Sequence, residues 1–388
     1  MKKAGYEILL MALLLCACGG ATTTIPTSTP TARATTSATS TATPTPLPTI
    51  TLTPTITPLY PLEGYGPANF PANVDPLTGL PVSDPALLQR RPMLIKVSNL
   101  PRNVRPQWGL SLADIVFEYY TEEGSTRFAA IFYSQDASMV GPIRSGRFID
   151  GDLVQGYKAV FAFGSAYEAE MNRFNTSDFA ARMVVEGSGK PLTRYDPNGY
   201  DYLMVNTADL SAYATQQGYN QLQNLDNMSF KVEAPAGGQP ATQLFVHYSG
   251  AIYNRWDYDA ASGKYLRYSE TATVNNVGQS EQYAQLTDRL TRQPIAFDNV
   301  VLLYVIHDLY GPGIYDILLS GAGQAVAFRD GQAYMVQWKR NDADVISLVN
   351  PDGSPFPFKP GNTWFEVIGL QSTAAQTGPS WRFMHVMP

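Results

Sequence analysis

From Ala21 to about Tyr60 the chain is almost wholly Thr, Ser, Pro and Ala, as in "TPTARATTSATSTATPTPLPTITLTPT", with Arg33 as its sole charge. Such a stretch has too little apolar surface to offset the entropy of ordering, and its prolines favour extended polyproline II. It reads as a disordered Thr/Ser/Pro-rich linker, placed at residues 18–75. At ~3.1 Å per residue, about forty residues reach on the order of 100 Å. Folding of the 388-residue chain is therefore confined to the residues beyond this linker. That remainder is more than one core usually spans, so two domains are expected.

Before the linker stands "MKKAGYEILLMALLLCACGG". Two lysines, a short apolar run and small residues make a secretory signal, too short to stay as a spanning helix. Leu15, Ala17 and Cys18 fit a lipobox, in which the chain is cut before the cysteine and a diacylglyceryl group is added to its sulfur. Residues 1–17 are thus expected to be a lipoprotein signal peptide, Cys18 the lipidation site, and the mature protein membrane-anchored and extracytoplasmic. The chain's two cysteines, Cys16 and Cys18, both lie in this leader. An exported domain without disulfides must be held by its own core.

The formal charge is −6, and loss of Lys2, Lys3 and Glu7 with the leader makes it about −7, a value that bears on solubility rather than fold. A mild acid excess gives no electrostatic footprint for nucleic acid.

Beyond the linker, "MLIKVSN" is a buried-strand run ending at Asn99. "SLADIVFEYY" reads as a helical turn feeding a strand, and "STRFAAIFYS" as the strand that returns. "GRFIDGDLVQGY", "SAYEAEMNRFN" and "ADLSAYATQQGY" are helix candidates, the last with Asp209 or Thr207 placed to cap it. After about Asn227 the texture changes to short β-rich runs such as "QLFVHYSG", "KYLRYSE" and "TWFEVIG", and Asp330-Gly331 is a strong hairpin signal. The expected class is α+β: an α/β N-terminal domain over 76–227, then a mostly antiparallel β C-terminal domain over 228–388.

The densest polar stretch is "EYYTEEGSTRF", Glu118 to Phe128. Alternation puts Ile115, Phe117 and Tyr119 on one strand face and Val116, Glu118 and Tyr120 on the other, with Gly124 supplying the turn's backbone freedom. Glu118 is then a carboxylate inside a strand, costly to bury unless paired, and Arg127, Arg144 or Arg147 is the expected partner. In "GPIRSGR", Arg144 and Arg147 share a face if they open a helix, and N–H groups near Ser145 and Gly146 would complement an anion. With "RPQWG", this gathers arginines, a tryptophan and acids in a short span. Guanidinium forks recognise carboxylates and phosphates, and indole faces stack on sugars.

No catalytic motif accompanies them. His247, His307 and His385 sit in or at the end of β-like runs, and neither "HExxH" nor metal spacing is present. There is no "GxSxG" elbow, no phosphate loop and no thiol after the leader. Glu118 with Glu122 or Glu123 could form a glycosidase-like carboxylate pair. No cofactor and no metal are expected, and no catalytic residue is assigned.

The stretch from "RPQWGLSLADIVFEYYTEEGSTRF" through "GPIRSGR" closely resembles the signature of YerB-like bacterial lipoproteins, a domain family without an assigned function. "FRDGQAYMVQWKR" followed by "DGSPFPFKPGNTWFEVI" is similar to that family's C-terminal module. Matching positions include Asn99, Arg105, Asp114, Glu118, Glu123, Gly124, Arg127, Arg144, Ser145 and Arg147, with Gly331, Trp338, Gly361 and Trp364 in the second module. Relatives carry histidines near "FAFGS" and "YLMVN", where this chain has Gly164, Ser165 and Asn206. The resemblance implies an anchored two-module envelope protein.

Asn99, Arg105, Asp114, Glu118, Glu123, Arg127, Arg144, Ser145 and Arg147 are therefore the expected ligand-binding set. The expected function is a binding or scaffolding module of the cell envelope, its partners the membrane through Cys18 and an envelope glycan, peptide or protein. The alternative is a cell-wall hydrolase or transferase using Glu118 or Glu123 as acid/base.

Overall fold

A computed structural model describes residues 60–197, 199–274 and 280–387. The signal peptide, Cys18 and most of the expected linker lie outside the described residues. The fold takes in sequence earlier than the expected start at 76. Tyr65 forms a bridge with Phe230, and Val74 and Asp75 are buried. The physical reason is that Tyr60, Tyr65 and Phe70 bring large apolar area that the Thr/Pro tract lacks.

In the first half the strands are β1 (Met93–Ser98), β2 (Ile115–Tyr120), β3 (Thr126–Phe132), β4 (Val160–Ala162), β5 (Met183–Val184), β6 (Leu192–Tyr195) and β7 (Tyr202–Val205). The helices are α1 (Phe148–Gly156), α2 (Glu168–Asn175) and α3 (Thr207–Gln216). In the second half come β8 (Gln239–Pro240), β9 (Gln243–His247), β10 (Tyr253–Asp259), β11 (Lys264–Glu270), β12 (Tyr283–Gln285), β13 (Ala296–Phe297), β14 (Asn299–Val305) and β15 (His307–Gly311). The chain closes with β16 (Ile314–Ile317), β17 (Gly321–Arg329), β18 (Gln332–Arg340), β19 (Ser347–Val349), β20 (Thr363–Gly369), β21 (Thr373–Thr377) and β22 (Ser380–Met384).

The large sheet runs β19-β18-β17-β14-β20-β2-β3-β1-β4-β5, with β8 beside β18. It therefore takes strands from both halves, joined where β2 and β20 pair in parallel. A second sheet, β12-β11-β10-β9-β22-β21 with β13 on β11, is drawn from the second half alone. The chain is α+β as expected, α/β-like first and mostly antiparallel after.

The large sheet is covered on both faces, which is why β1, β2 and β3 read as near-continuous apolar runs. Val116, Ile95, Phe128 and Trp364 on one face pack with Leu244, Val246, Trp256 and Phe297 of the second sheet. On the other face Ile115, Phe117 and Tyr119 pack with Ile149, Leu153 and Val154 of α1. The alternation expected for β2 holds.

The ends of the elements follow local chemistry. At the start of α1, Asp150 accepts the Arg147 N–H at 2.6 Å, and at α2 Glu170 accepts that of Tyr167 at 2.8 Å. The cap of α3 is Asn206, whose side chain accepts from the Ala208 N–H, and not Asp209 or Thr207. Thr207 is occupied elsewhere, donating to Asp136 and accepting from the Ala137 N–H. Asp330-Gly331 turns β17 into β18 with φ of 53° and 70°, the left-handed pair a two-residue hairpin needs.

Candidate functional site

Two clusters of charge lie on the large sheet, one sealed between the sheets and one at the strand ends. In the sealed cluster, parallel pairing of β2 with β20 sets Glu118 directly opposite Glu366. Two carboxylates in register repel unless a cation stands between them. Arg267, projecting from β11 in the facing sheet, supplies it. Its Nη2 lies 2.6 Å from Glu118 Oε2 and its Nη1 3.0 Å from Glu366 Oε1. Thr126 and Asn99 donate to Glu118, while Tyr248 and Trp256 donate to Glu366. Asn99 in turn accepts from Arg105, which is paired with Glu270 at 2.7 Å.

The side chains of Glu118 and Glu366 are 0% exposed and that of Arg267 1%. Burial first, and then the Glu118 charge, pushes the Glu366 carboxyl up to about 7. Burial works against the Arg267 charge, but the two carboxylates outweigh it and raise its pKa. The expected partners of Glu118, namely Arg127, Arg144 and Arg147, are not its partners. Adjacency along the chain favoured them, but Arg267 reaches across from a different sheet. A carboxylate held in this way has no route to substrate or water, so the acid/base role expected as an alternative for Glu118 has no opening in the structure.

The second cluster sits where several parallel strands end. β1, β2, β4, β14 and β20 share one direction. The segment from Pro142 to Gly146 is pinned across the carboxyl ends of β1 and β4: Arg144 N–H donates to Lys96 O, and Gly164 N–H to Arg144 O. Glu122, from the β2–β3 turn, holds two guanidinium groups. Arg147 Nε donates to Oε2 at 2.8 Å, and Arg127 and Arg147 both reach Oε1. Burial alone would raise the Glu122 carboxyl, yet the Arg147 hydrogen bond and the nearby guanidinium charges hold it below the ordinary range.

Beneath lies Lys96, with its side chain wholly buried. Its Nζ is 3.2 Å from Asp150 and donates to the Tyr119 hydroxyl, which donates to Asp150. Burial brings Lys96 down to about 7 against the pull of Asp150, with Arg127 and Arg147 adding to the depression. Asp150 thus serves twice, as ion partner and as helix cap.

Aromatic rings frame this edge. The Arg147 guanidinium lies 4.8 Å from the Tyr167 ring, Phe148 packs on Tyr310 at 4.8 Å, and Tyr120 meets Tyr315 at 5.7 Å. Tyr310 and Tyr315 come from the β15–β16 hairpin. Tyr167 and Tyr310 are 47% and 55% exposed.

The nine expected ligand residues divide among four places. Asn99, Arg105 and Glu118 belong to the sealed network. Arg127, Arg144, Ser145 and Arg147 stand at the strand ends. Glu123 is at the exposed tip of the turn with φ of 51°, beside Gly124 at 75°. Asp114 caps a loop, accepting from the Tyr133 and Ser134 N–H groups, and lines a cavity of about 410 Å³ at the opposite, amino ends of the strands. Arg144 and Arg147 do not share a helical face, because Arg147 is the extended residue before α1. The Gly146 N–H, expected to face an anion, donates to Ser165 O at 2.7 Å. Trp108 is buried with Val104, Tyr202 and Met204 and offers no stacking face to a sugar.

Lys96, Asp150, Arg267 and Glu366 were not among the residues expected from the sequence. For three of them, a charge inside an apolar strand was a signal: Lys96 in "MLIKVSN", Glu366 in "TWFEVIG", Arg267 in "KYLRYSE". The histidines are engaged locally. His247 faces Glu281 at 3.2 Å, His307 contacts Val305 O, and His385 accepts the Gly369 N–H. Among the described residues no cluster of His, Cys, Asp and Glu could hold a metal ion.

The large sheet is thus shared by two sequence modules, and each module matches a family. Residues 77–220 match the family described as "Protein of unknown function (DUF3048) N-terminal domain", and residues 244–365 match its C-terminal domain. The chain belongs to this family. It is 30% identical over 310 residues to the Bacillus subtilis protein named "Putative lipoprotein YerB", covering 76% of this chain and 85% of that one. The crystal structure of the YerB protein from Bacillus subtilis superposes with a TM-score of 0.64 at 28% identity, over 76% of this chain and 96% of that chain. The family expected from the sequence is the one found.

Proposed function

We propose that this is a lipid-anchored, extracytoplasmic protein, held to the membrane through Cys18, and that its strand-end face binds a component of the cell envelope. The anchor is supported by the lipobox and by the relative's name. Among the described residues no helix is long and apolar enough to cross a membrane.

The binding role rests above all on one observation. Of the four cations at the strand ends, Lys96, Arg127 and Arg147 have carboxylates within 4 Å, whereas Arg144 is exposed and has none among the described residues. Its Nε donates to Ser98 Oγ at 3.1 Å, and the Ser145 and Ser165 hydroxyls meet alongside at 2.9 Å. Ligands of open α/β sheets gather outside the carboxyl ends of parallel strands. Exposed Tyr167 and Tyr310 add the flat faces that pyranose rings and peptide planes stack against. The occupant favoured is an envelope polymer carrying both anionic groups and sugar rings.

Retention of the full chain on purified cell-wall material tests this. Wild type is expected to be retained, and the combined Arg144→Ala, Tyr310→Ala variant to elute early with an unchanged unfolding midpoint. Equal retention of the two would remove the strand-end face as the binding site. For the anchor, wild type should incorporate labelled fatty acid and Cys18→Ser should not, since serine offers no thiol to carry the diacylglyceryl group.

A further inference from the structure

A separate cavity of about 290 Å³ opens between the loop that follows β1 and the edge of the second sheet, lined among others by Arg102, Arg105, Glu270, Thr271, Gln285 and Leu286. It has room for on the order of ten water-sized groups. Its charges do not balance. Glu270 Oε1 is 2.7 Å from Arg105 Nη2 but 3.5 Å from Arg102 Nε.

Arg105 is fully engaged. Its Nε and Nη2 donate to Asn99, and its Nη1 donates to Glu270 O at 3.1 Å. Two guanidinium groups thus share one carboxylate, which leaves one net positive charge among the described lining residues, with Arg102 the more loosely paired of the two. Arg102 is held in place by its Nη2 bond to Ala251 O at 2.7 Å and a longer Nη1 bond to Thr273 Oγ1 at 3.3 Å, with 31% of its side chain still exposed. A fixed guanidinium that keeps unused donor capacity is preorganised for an oxyanion. The walls add hydroxyl and amide groups from Thr271 and Gln285, and an apolar floor at Leu286.

We propose that this cavity binds a small organic carboxylate with a short aliphatic body, the carboxylate meeting Arg102 and the chain lying on Leu286. The position fits general experience of ligand sites, since the wall combines loops from the two sequence modules. It is distinct from the strand-end face and independent of the envelope-binding role.

Isothermal titration of the full chain in detergent with propionate is the test, with n-propylamine as the cationic control of the same length. Saturable heat with propionate and none with the amine is expected. Arg102→Gln should weaken propionate binding at least tenfold. Should that variant unfold, Gln285→Glu sets a like charge in the wall without touching the Arg102 bonds, and is expected to weaken binding as well. Absence of saturable heat with propionate, or binding unchanged in a folded variant, would overturn the proposal.

Discussion

The sealed cluster and the strand-end cluster use the same residue types for opposite ends. Between the sheets, Glu118, Arg267 and Glu366 are stripped of water, and every carboxylate oxygen has a partner. At the strand ends, Glu122 takes two guanidinium groups while Arg144 is left facing solvent. The difference lies in which element supplies the cation. Arg267 arrives from a facing sheet and closes the space behind it, whereas at the strand ends Arg127 and Arg147 close on Glu122 and Arg144 beside them stays exposed. The first cluster ties the two modules together, and the second is the face proposed above to bind.

The largest effect that separates them is on stability. Arg267→Met leaves two buried carboxylates facing each other and should cost about 3–5 kcal/mol, read from urea unfolding, because breaking a buried pair exposes an uncompensated charge. Replacing the whole cluster, as Glu118→Gln, Arg267→Met and Glu366→Gln together, should recover most of that loss. If Arg267→Met costs no more than a surface change, the sealed cluster is not a pin.

The next effect is its pH dependence. The Glu366 carboxyl, at about 7 in the folded protein against 4.5 as a free side chain, binds its proton more tightly when folded. Its contribution is therefore complete below pH ~4.5 and falls as pH rises to ~7, with a slope of at most about 1.4 kcal/mol per pH unit. Lys96 runs the other way. Its folded value of about 7 lies below the free value of 10.5, so its penalty is felt below pH ~7 and fades as pH rises toward ~10.5. Subtracting the Glu366→Gln profile from wild type should isolate the falling limb, and Lys96→Met should remove the rising one. A flat difference between pH 4.5 and 7 would contradict the sealed environment.

Smaller still is Glu122→Ala, which leaves the buried Arg147 and the largely buried Arg127 without their shared carboxylate. About 2–3 kcal/mol is expected, as for loss of hydrogen bonds to charged groups out of contact with bulk water. The smallest is Arg144→Ala, with no more than about 0.5 kcal/mol, since its exposed side chain has one hydrogen bond, to Ser98, and no carboxylate partner among the described residues. A large loss there would mean that Arg144 serves the fold.

Much of the architecture was legible in the sequence. Apolar runs marked β1, β2 and β3, the Asp330-Gly331 pair marked its hairpin, and the lone glycine in "TEEGST" marked the β2–β3 turn. The pairing of charges was not. Arg267 stands 149 residues from Glu118 and Glu366 a further 99 from Arg267, and register between β2 and β20 alone decides that the glutamates meet. Arg127, Arg144 and Arg147 lie far closer to Glu118 along the chain than Arg267 does, which made them the expected partners. The cap of α3 was missed by one residue, because Thr207 and Asn206 are both good caps and only the Asp136 contact diverts Thr207. The strand-end face was legible in part: "GPIRSGR" named its arginines, while nothing local in the β15–β16 hairpin sequence ties its rings to an edge more than 140 residues earlier in the chain.

The most direct measurement is cell-wall retention of the folded triple variant Glu118→Gln, Arg267→Met, Glu366→Gln. Retention equal to wild type is predicted, because the sealed cluster holds the sheets and touches no ligand. Loss of retention in a variant that keeps a cooperative unfolding transition would contradict that division of roles.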